Sequence, residues 1–135
     1  MSRVVRALAA ALGFAVTGLP PSAAAQTIEV RSGEHDGFSR LVLGIGADRQ
    51  WRLDGTGRRR ALRLDPPVEG FATAEVFRLI PRDRLARLAT EEGGTLAMTL
   101  DCDCPVEARR YRERYLVIDI ADPPAPGARA AAAAD

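Results

Sequence analysis

Cys102 and Cys104 stand one residue apart in Asp-Cys-Asp-Cys-Pro, the most distinctive spacing of reactive side chains in the 135-residue sequence. On a flat strand both would point to one face about 6.6 Å apart, the outer limit for a direct disulfide, so a bond between them requires a bend. Pro105 supplies a reason for one. A loop this short gains little stability from chain entropy and, if strained, is easily reduced. Three uses stay open: a local structural disulfide, a redox or metal-handling pair, and a cross-link between chains. Metal sites usually take four ligands, and the single His35 is far away in sequence, leaving Asp101 and Asp103 as nearby oxygen donors. No thiol motif within a βαβ unit surrounds the pair, which favours the structural disulfide.

His35 lies in Gly33-Glu34-His35-Asp36-Gly37, which reads as a polar turn and a solvated imidazole rather than a catalytic base. The sequence contains no Gly-x-Ser-x-Gly elbow, no paired-histidine metal motif and no phosphate-binding glycine loop. No catalytic residue, metal site or cofactor is therefore assigned, and the chain reads as a non-enzyme. Arginine clusters offer a different chemistry. Arg58-Arg59-Arg60 form one, and Arg109, Arg110, Arg112 and Arg114, interleaved with Tyr111 and Tyr115, form another. Guanidinium groups pair two-pronged with carboxylates and tyrosines give stacking faces, so the second cluster suits a cell-wall glycan bearing peptide carboxylates. The plain alternative is a solvated face balanced by Glu107 and Glu113. Trp51 alternates with Leu53 and belongs to the core rather than to a sugar platform.

The elements that position these groups are mainly strands, because apolar and polar residues alternate with period 2 between Thr27 and Asp122. Strands are expected at Thr27 to Arg31, Arg40 to Ile45, Gln50 to Leu53, Ala61 to Leu64, Val76 to Ile80, Thr95 to Leu100 and Tyr115 to Ile120. Asp54-Gly55 marks a hairpin between the third and fourth. Pro81 followed by Leu85 and Leu88 predicts one short helix over Arg82 to Ala89, ended by Glu92-Gly93-Gly94. The expected class is a mostly β fold, a small β-sandwich of short antiparallel strands with one short helix. Both halves close on an alternating strand, Ala61 to Leu64 and Tyr115 to Ile120, the pattern of a duplicated sandwich.

Residues 1–25 read as a cleaved signal peptide: Arg3 and Arg6, an apolar stretch from Ala7 to Leu19, then Ser22-Ala23-Ala24-Ala25 before Gln26. That stretch is shorter than the roughly 20 residues a spanning helix needs, so a periplasmic product without stable membrane insertion is expected. Residues 26–122 make one domain, and 123–135, rich in Pro and Ala, read as a disordered tail or a linker to something larger. Removing Arg3 and Arg6 lowers the basic count from 19 to 17 against 18 acids. A balance of −1 gives no pull toward nucleic acid. All basic residues are Arg, which coding bias explains without special chemistry.

The stretch from Val30 to Leu43, with Ser39-Arg40 ahead of alternating aliphatics, and the late Tyr115-Leu116-Val117-Ile118-Asp119-Ile120 resemble the AMIN domain. The segments GEHDGFSRLVL, VFRLIPRDRL and CDC are similar to the N-terminal region of exported alphaproteobacterial proteins. The resemblance implies a β-sandwich that places proteins at the cell wall through peptidoglycan or an envelope protein partner, without catalysis of its own. Ser39 and Arg40 are the matched positions. The Pro81 to Ala89 segment and the cysteine pair depart from the AMIN pattern. On these grounds a binding face of Arg40, Arg109, Arg110, Tyr111 and Tyr115 is expected. The competing expectation is a small thiol-active redox or metal-handling protein built on Cys102 and Cys104.

Overall fold

The computed structural model describes residues 26–124, together with Ala11, Gly13, Ala15 and Gly18. Apart from those four residues, the expected leader over 1–25 lies outside the described residues, as does the tail beyond Pro124. Strands β1 (Thr27–His35), β2 (Phe38–Gly44), β3 (Gln50–Asp54), β4 (Arg59–Asp65) and β5 (Gly70–Ala72) are followed by the single-turn helix α1 (Val76–Leu79). Strands β6 (Leu85–Glu91), β7 (Thr95–Leu100), β8 (Val106–Tyr111) and β9 (Tyr115–Ala121) complete the fold. They form a small β-sandwich of two sheets, ordered β5-β1-β2-β9-β8 and β3-β4-β7-β6. Neighbouring strands run antiparallel except β1 and β5, which pair in parallel over three residues.

Each half of the chain gives one hairpin to each sheet: β1–β2 and β8–β9 to one, β3–β4 and β6–β7 to the other. Replacing β1, β2, β3 and β4 by β6, β7, β8 and β9, and the reverse, turns the order β1-β2-β9-β8 into β6-β7-β4-β3. That is the second sheet read backwards, so the strand connectivity has a twofold internal pattern.

Period-2 alternation builds the core. In β2, Ser39, Leu41 and Leu43 face inward while Arg40 and Val42 face out. Leu116, Ile118 and Ile120 of β9 and Leu96, Met98 and Leu100 of β7 behave alike, and all six are buried. Each such side chain contributes about 1.5–3 kcal/mol by leaving water. Trp51 packs partly buried against this core.

Two sequence expectations are corrected. Val76 to Ile80 is not a strand: Val76 and Ile80, four apart, are both buried, and the Ile80 amide donates to the Val76 carbonyl at 3.3 Å, closing one helical turn. The Val76 carbonyl also accepts the Ser32 hydroxyl at 2.7 Å, tying the turn to β1. Conversely, Arg82 to Ala89 is not a helix. Leu85 and Leu88 belong to β6, where the register against β7 shifts between Leu85 and Arg87. The extra residue of a bulge lets two residues three apart both face inward, imitating helical spacing. Strand β8 was not anticipated, because its inward positions are Val106, Ala108 and Arg110, and the arginine interrupts the apolar pattern.

Candidate functional site

The outer face of the five-stranded sheet collects four of the five expected binding residues. Val42 of β2 pairs with Val117 of β9, which pairs with Arg109 of β8. One row away Arg40 stands opposite Asp119, and at the other end Tyr115 stands opposite Tyr111. Outward alternation on three adjacent strands thus brings Arg40, Arg109, Tyr111 and Tyr115 around a floor of Val42 and Val117, enclosing a hollow of about 370 Å³. Tyr111 is 48% exposed and Tyr115 40%, and the Arg112 guanidinium lies 5.2 Å from the Tyr111 ring centre. A second hollow of about 390 Å³ begins on the far side of Tyr115, over Val42 and Gly44 toward Glu29 and Arg31. Gly44 leaves the sheet bare there, so Tyr115 forms a ridge between two depressions.

Asp119 governs the charge of this face. It accepts Arg40 Nε at 2.8 Å and Nη2 at 3.0 Å, and Arg109 Nη1 at 2.9 Å. Hydrogen bonds from Arg40, and secondarily from Arg109, hold its carboxyl below the usual carboxylate range against the opposing effect of burial. The Arg40 guanidinium is raised in turn by the Asp119 hydrogen bond. Glu107 of β8 stands opposite Asp119 on the same face, so Arg40 and Arg109 balance two carboxylates, with Arg109 the more exposed of the two cations. Such a site offers stacking, an apolar floor and a hydrogen-bonding cation; a carboxylate held this firmly ionised is a weak proton acceptor.

Arg110 is placed elsewhere. Its side chain points to the inner side at one end of the sandwich, where Nη1 donates to the Gly46 carbonyl at 2.9 Å and the Glu113 carbonyl at 3.0 Å, and Nη2 donates to the Arg49 carbonyl. It pins the loop after β2 to the β8–β9 turn.

Ser39, the other residue matched in the AMIN resemblance, is fully buried in a polar network at the opposite end. Its hydroxyl donates to Glu34 Oε2 at 3.1 Å. Arg84, with a side chain only 12% exposed, is ion-paired to Glu34, donates to Asp122 Oδ1 at 2.7 Å and reaches the Ser39 hydroxyl at 3.3 Å. This network ties β1 and β2 to the segment before β6 and to the end of β9. Hydrogen bonding to Asp122 raises the Arg84 guanidinium, and the same bond lowers the Asp122 carboxyl. Cys102 and Cys104 are bonded to each other across a bend with Cα atoms 5.1 Å apart. Cys104 is buried and Cys102 packs against the same core, while the Asp101 amide donates to the Arg84 carbonyl at 2.9 Å. His35 ends β1, exposed, with its ring stacked 4.7 Å from that of Phe38.

Sequence reasoning missed Asp119, Glu34, Arg84 and Asp122. Asp119 did leave a signal: a lone acid at an outward position of an otherwise aliphatic strand, matching the lone Arg40 on β2. No protein-family model, curated protein or solved structure matches the chain.

Proposed function

We propose that this chain is a non-catalytic, AMIN-like binding module of the bacterial envelope, exported to the periplasm by residues 1–25, that contacts peptidoglycan with the outer face of β2, β9 and β8. One observation carries the reading: two exposed tyrosines flank an apolar floor beside the half-exposed Arg109, with hollows on either side of Tyr115. Aromatic faces stack on sugar rings, whose C–H faces are apolar, and Arg109 can hold a stem-peptide carboxylate in a two-pronged bond. A ridge between two hollows suits a chain ligand of at least two units. In this reading the Cys102–Cys104 bond is structural, supported by the burial of Cys104.

The test is co-sedimentation of the purified chain with peptidoglycan sacculi. Wild type should pellet with the sacculi, and Tyr111→Ala with Tyr115→Ala should weaken binding by about tenfold, the loss expected for two stacking contacts. Retention of the wild-type chain entirely in the supernatant would sink the glycan reading.

A further inference from the structure

The four-stranded sheet carries a second groove of different chemistry. Across its outer face Asp54, Ala61, Ala97 and Ala89 stand in one cross-strand row, and Arg59, Thr99 and Arg87 in the next. The alanines supply a floor with only methyl groups above the backbone, and the arginines rise beside it, bounding a hollow of about 510 Å³. Arg59, Arg63 and Arg87, all exposed on this face, enter no ion pair among the described residues. Arg63 also stands directly opposite Arg52, a like-charge pair that disfavours the ladder and that Asp54 relieves by accepting Arg52 Nε at 2.8 Å. Arg60 borders the same hollow with a buried Nε that has no partner, while its Nη1 donates to the Gly55 carbonyl at 3.0 Å. The face therefore holds guanidinium groups that no carboxylate among the described residues neutralises.

We infer that this groove is a docking site for an extended acidic peptide segment of a protein partner. Arg59 and Arg87 each pair with Thr99, one strand to either side, so their Cα atoms lie two strand spacings apart, about 9.5 Å. In a peptide of polyproline-II conformation, with three residues per turn and a rise of about 3.1 Å per residue, acidic side chains three residues apart stand on one side about 9.3 Å apart, which matches. Unlike the tyrosine face, no residue lining this groove is aromatic, so it lacks the ring faces on which a sugar would stack. Asp54 and Glu91 at the margins repel acids set outside that spacing, which gives the site a register. The proposal is independent of the peptidoglycan reading, because the two grooves lie on opposite faces of the sandwich and share no residue.

The probe is a capped peptide, Asp-Ser-Thr-Asp, titrated into the isotopically labelled full chain and followed by backbone amide shifts. Saturable shifts should cluster on β4, β7 and β6, and the Asn-Ser-Thr-Asn analogue should bind at least about tenfold more weakly. Arg59→Glu with Arg87→Glu, both at exposed positions that leave the fold intact, should abolish the shifts, while Tyr115→Ala should leave them unchanged. Three results each overturn the proposal: no saturable shift at about 1 mM peptide, equal binding of the Asn analogue, or shifts confined to β8 and β9. An oligogalacturonate that binds this groove more tightly than the peptide would also overturn it, by making the ligand a carboxylated glycan.

Discussion

Asp119→Asn should make the protein less stable and a better binder of anionic ligands at once. The substitution keeps shape and one acceptor but removes the charge that Arg40 grips with two bonds and Arg109 with one. Arg109 is half exposed, so its share is screened and close to nothing. Arg40 and Asp119 are 30% and 15% exposed, so their fork is worth more than a surface pair and less than a fully buried one. A hydrogen bond to a charged group is worth about 1.5–3 kcal/mol, and water access lowers the expected loss to about 1–2 kcal/mol. In a domain of this size each kcal/mol moves Tm by about 4–8 °C, so calorimetry should show a fall of roughly 5–15 °C. The sign with pH follows from the lowered Asp119 carboxyl. Its stabilisation is complete above the ordinary carboxylate range, near 3.9, and fades as pH falls from there through the depressed folded-state value. Wild type and variant should therefore converge in acid. With that anion gone, Arg40 and Arg109 share a single neutral acceptor at position 119, and affinity for sacculi should rise severalfold. Unchanged Tm at neutral pH, or sacculus binding that falls along with stability, would refute the reasoning.

Arg84→Met removes the hub of the Glu34, Ser39 and Asp122 network, and the urea midpoint should fall by the equivalent of about 2 kcal/mol, since Glu34 retains partial access to water. Cys102→Ala with Cys104→Ala should leave sacculus binding unchanged and cost at most about 1.6 kcal/mol of loop-closure entropy, whereas loss of binding would revive the thiol-active reading. Gly94→Ala should prevent accumulation of folded protein in an expression assay, because φ is +74° and a Cβ there would overlap the Val68 carbonyl oxygen. Gly37→Ala, at φ +86° with open space around it, should cost only about 1 kcal/mol by calorimetry.

How far the sequence foretold this architecture depended on whether inward positions were uniformly apolar. Strands β2, β7 and β9 alternate strictly and were readable to within a residue or two. Strand β8 was hidden by Arg110, which faces inward at the end of the sandwich and satisfies its guanidinium on backbone carbonyls rather than in the core. At β6 a bulge changed the spacing of Leu85 and Leu88 from two to three, and at α1 the pair Val76 and Ile80 needed tertiary burial to reveal a turn. For the site, Arg40, Arg109, Tyr111 and Tyr115 could be picked out by type, and all four are outward residues of adjacent strands. Asp119 could not be weighted, because its importance arises from cross-strand register with Arg40, seventy-nine positions away in sequence. The same holds for Arg84 and Glu34, fifty positions apart.

The register of β1, β2 and β9 has a mechanical consequence. His35 pairs with Phe38, and Phe38 with Ala121, so β1 finishes at the end of the sheet where β9 also finishes. The chain therefore comes into the sandwich at the Gly44 and Tyr115 end and leaves it at the opposite end, about 20–25 Å away along seven residues of β2. Tension applied between Thr27 and Asp122 would pull β1 and β9 in opposite directions past the shared strand β2. Both ladders would then be loaded in shear, with their hydrogen bonds resisting together instead of opening one by one as a zip. A domain loaded in this way would transmit force along the five-stranded sheet through both ladders at once.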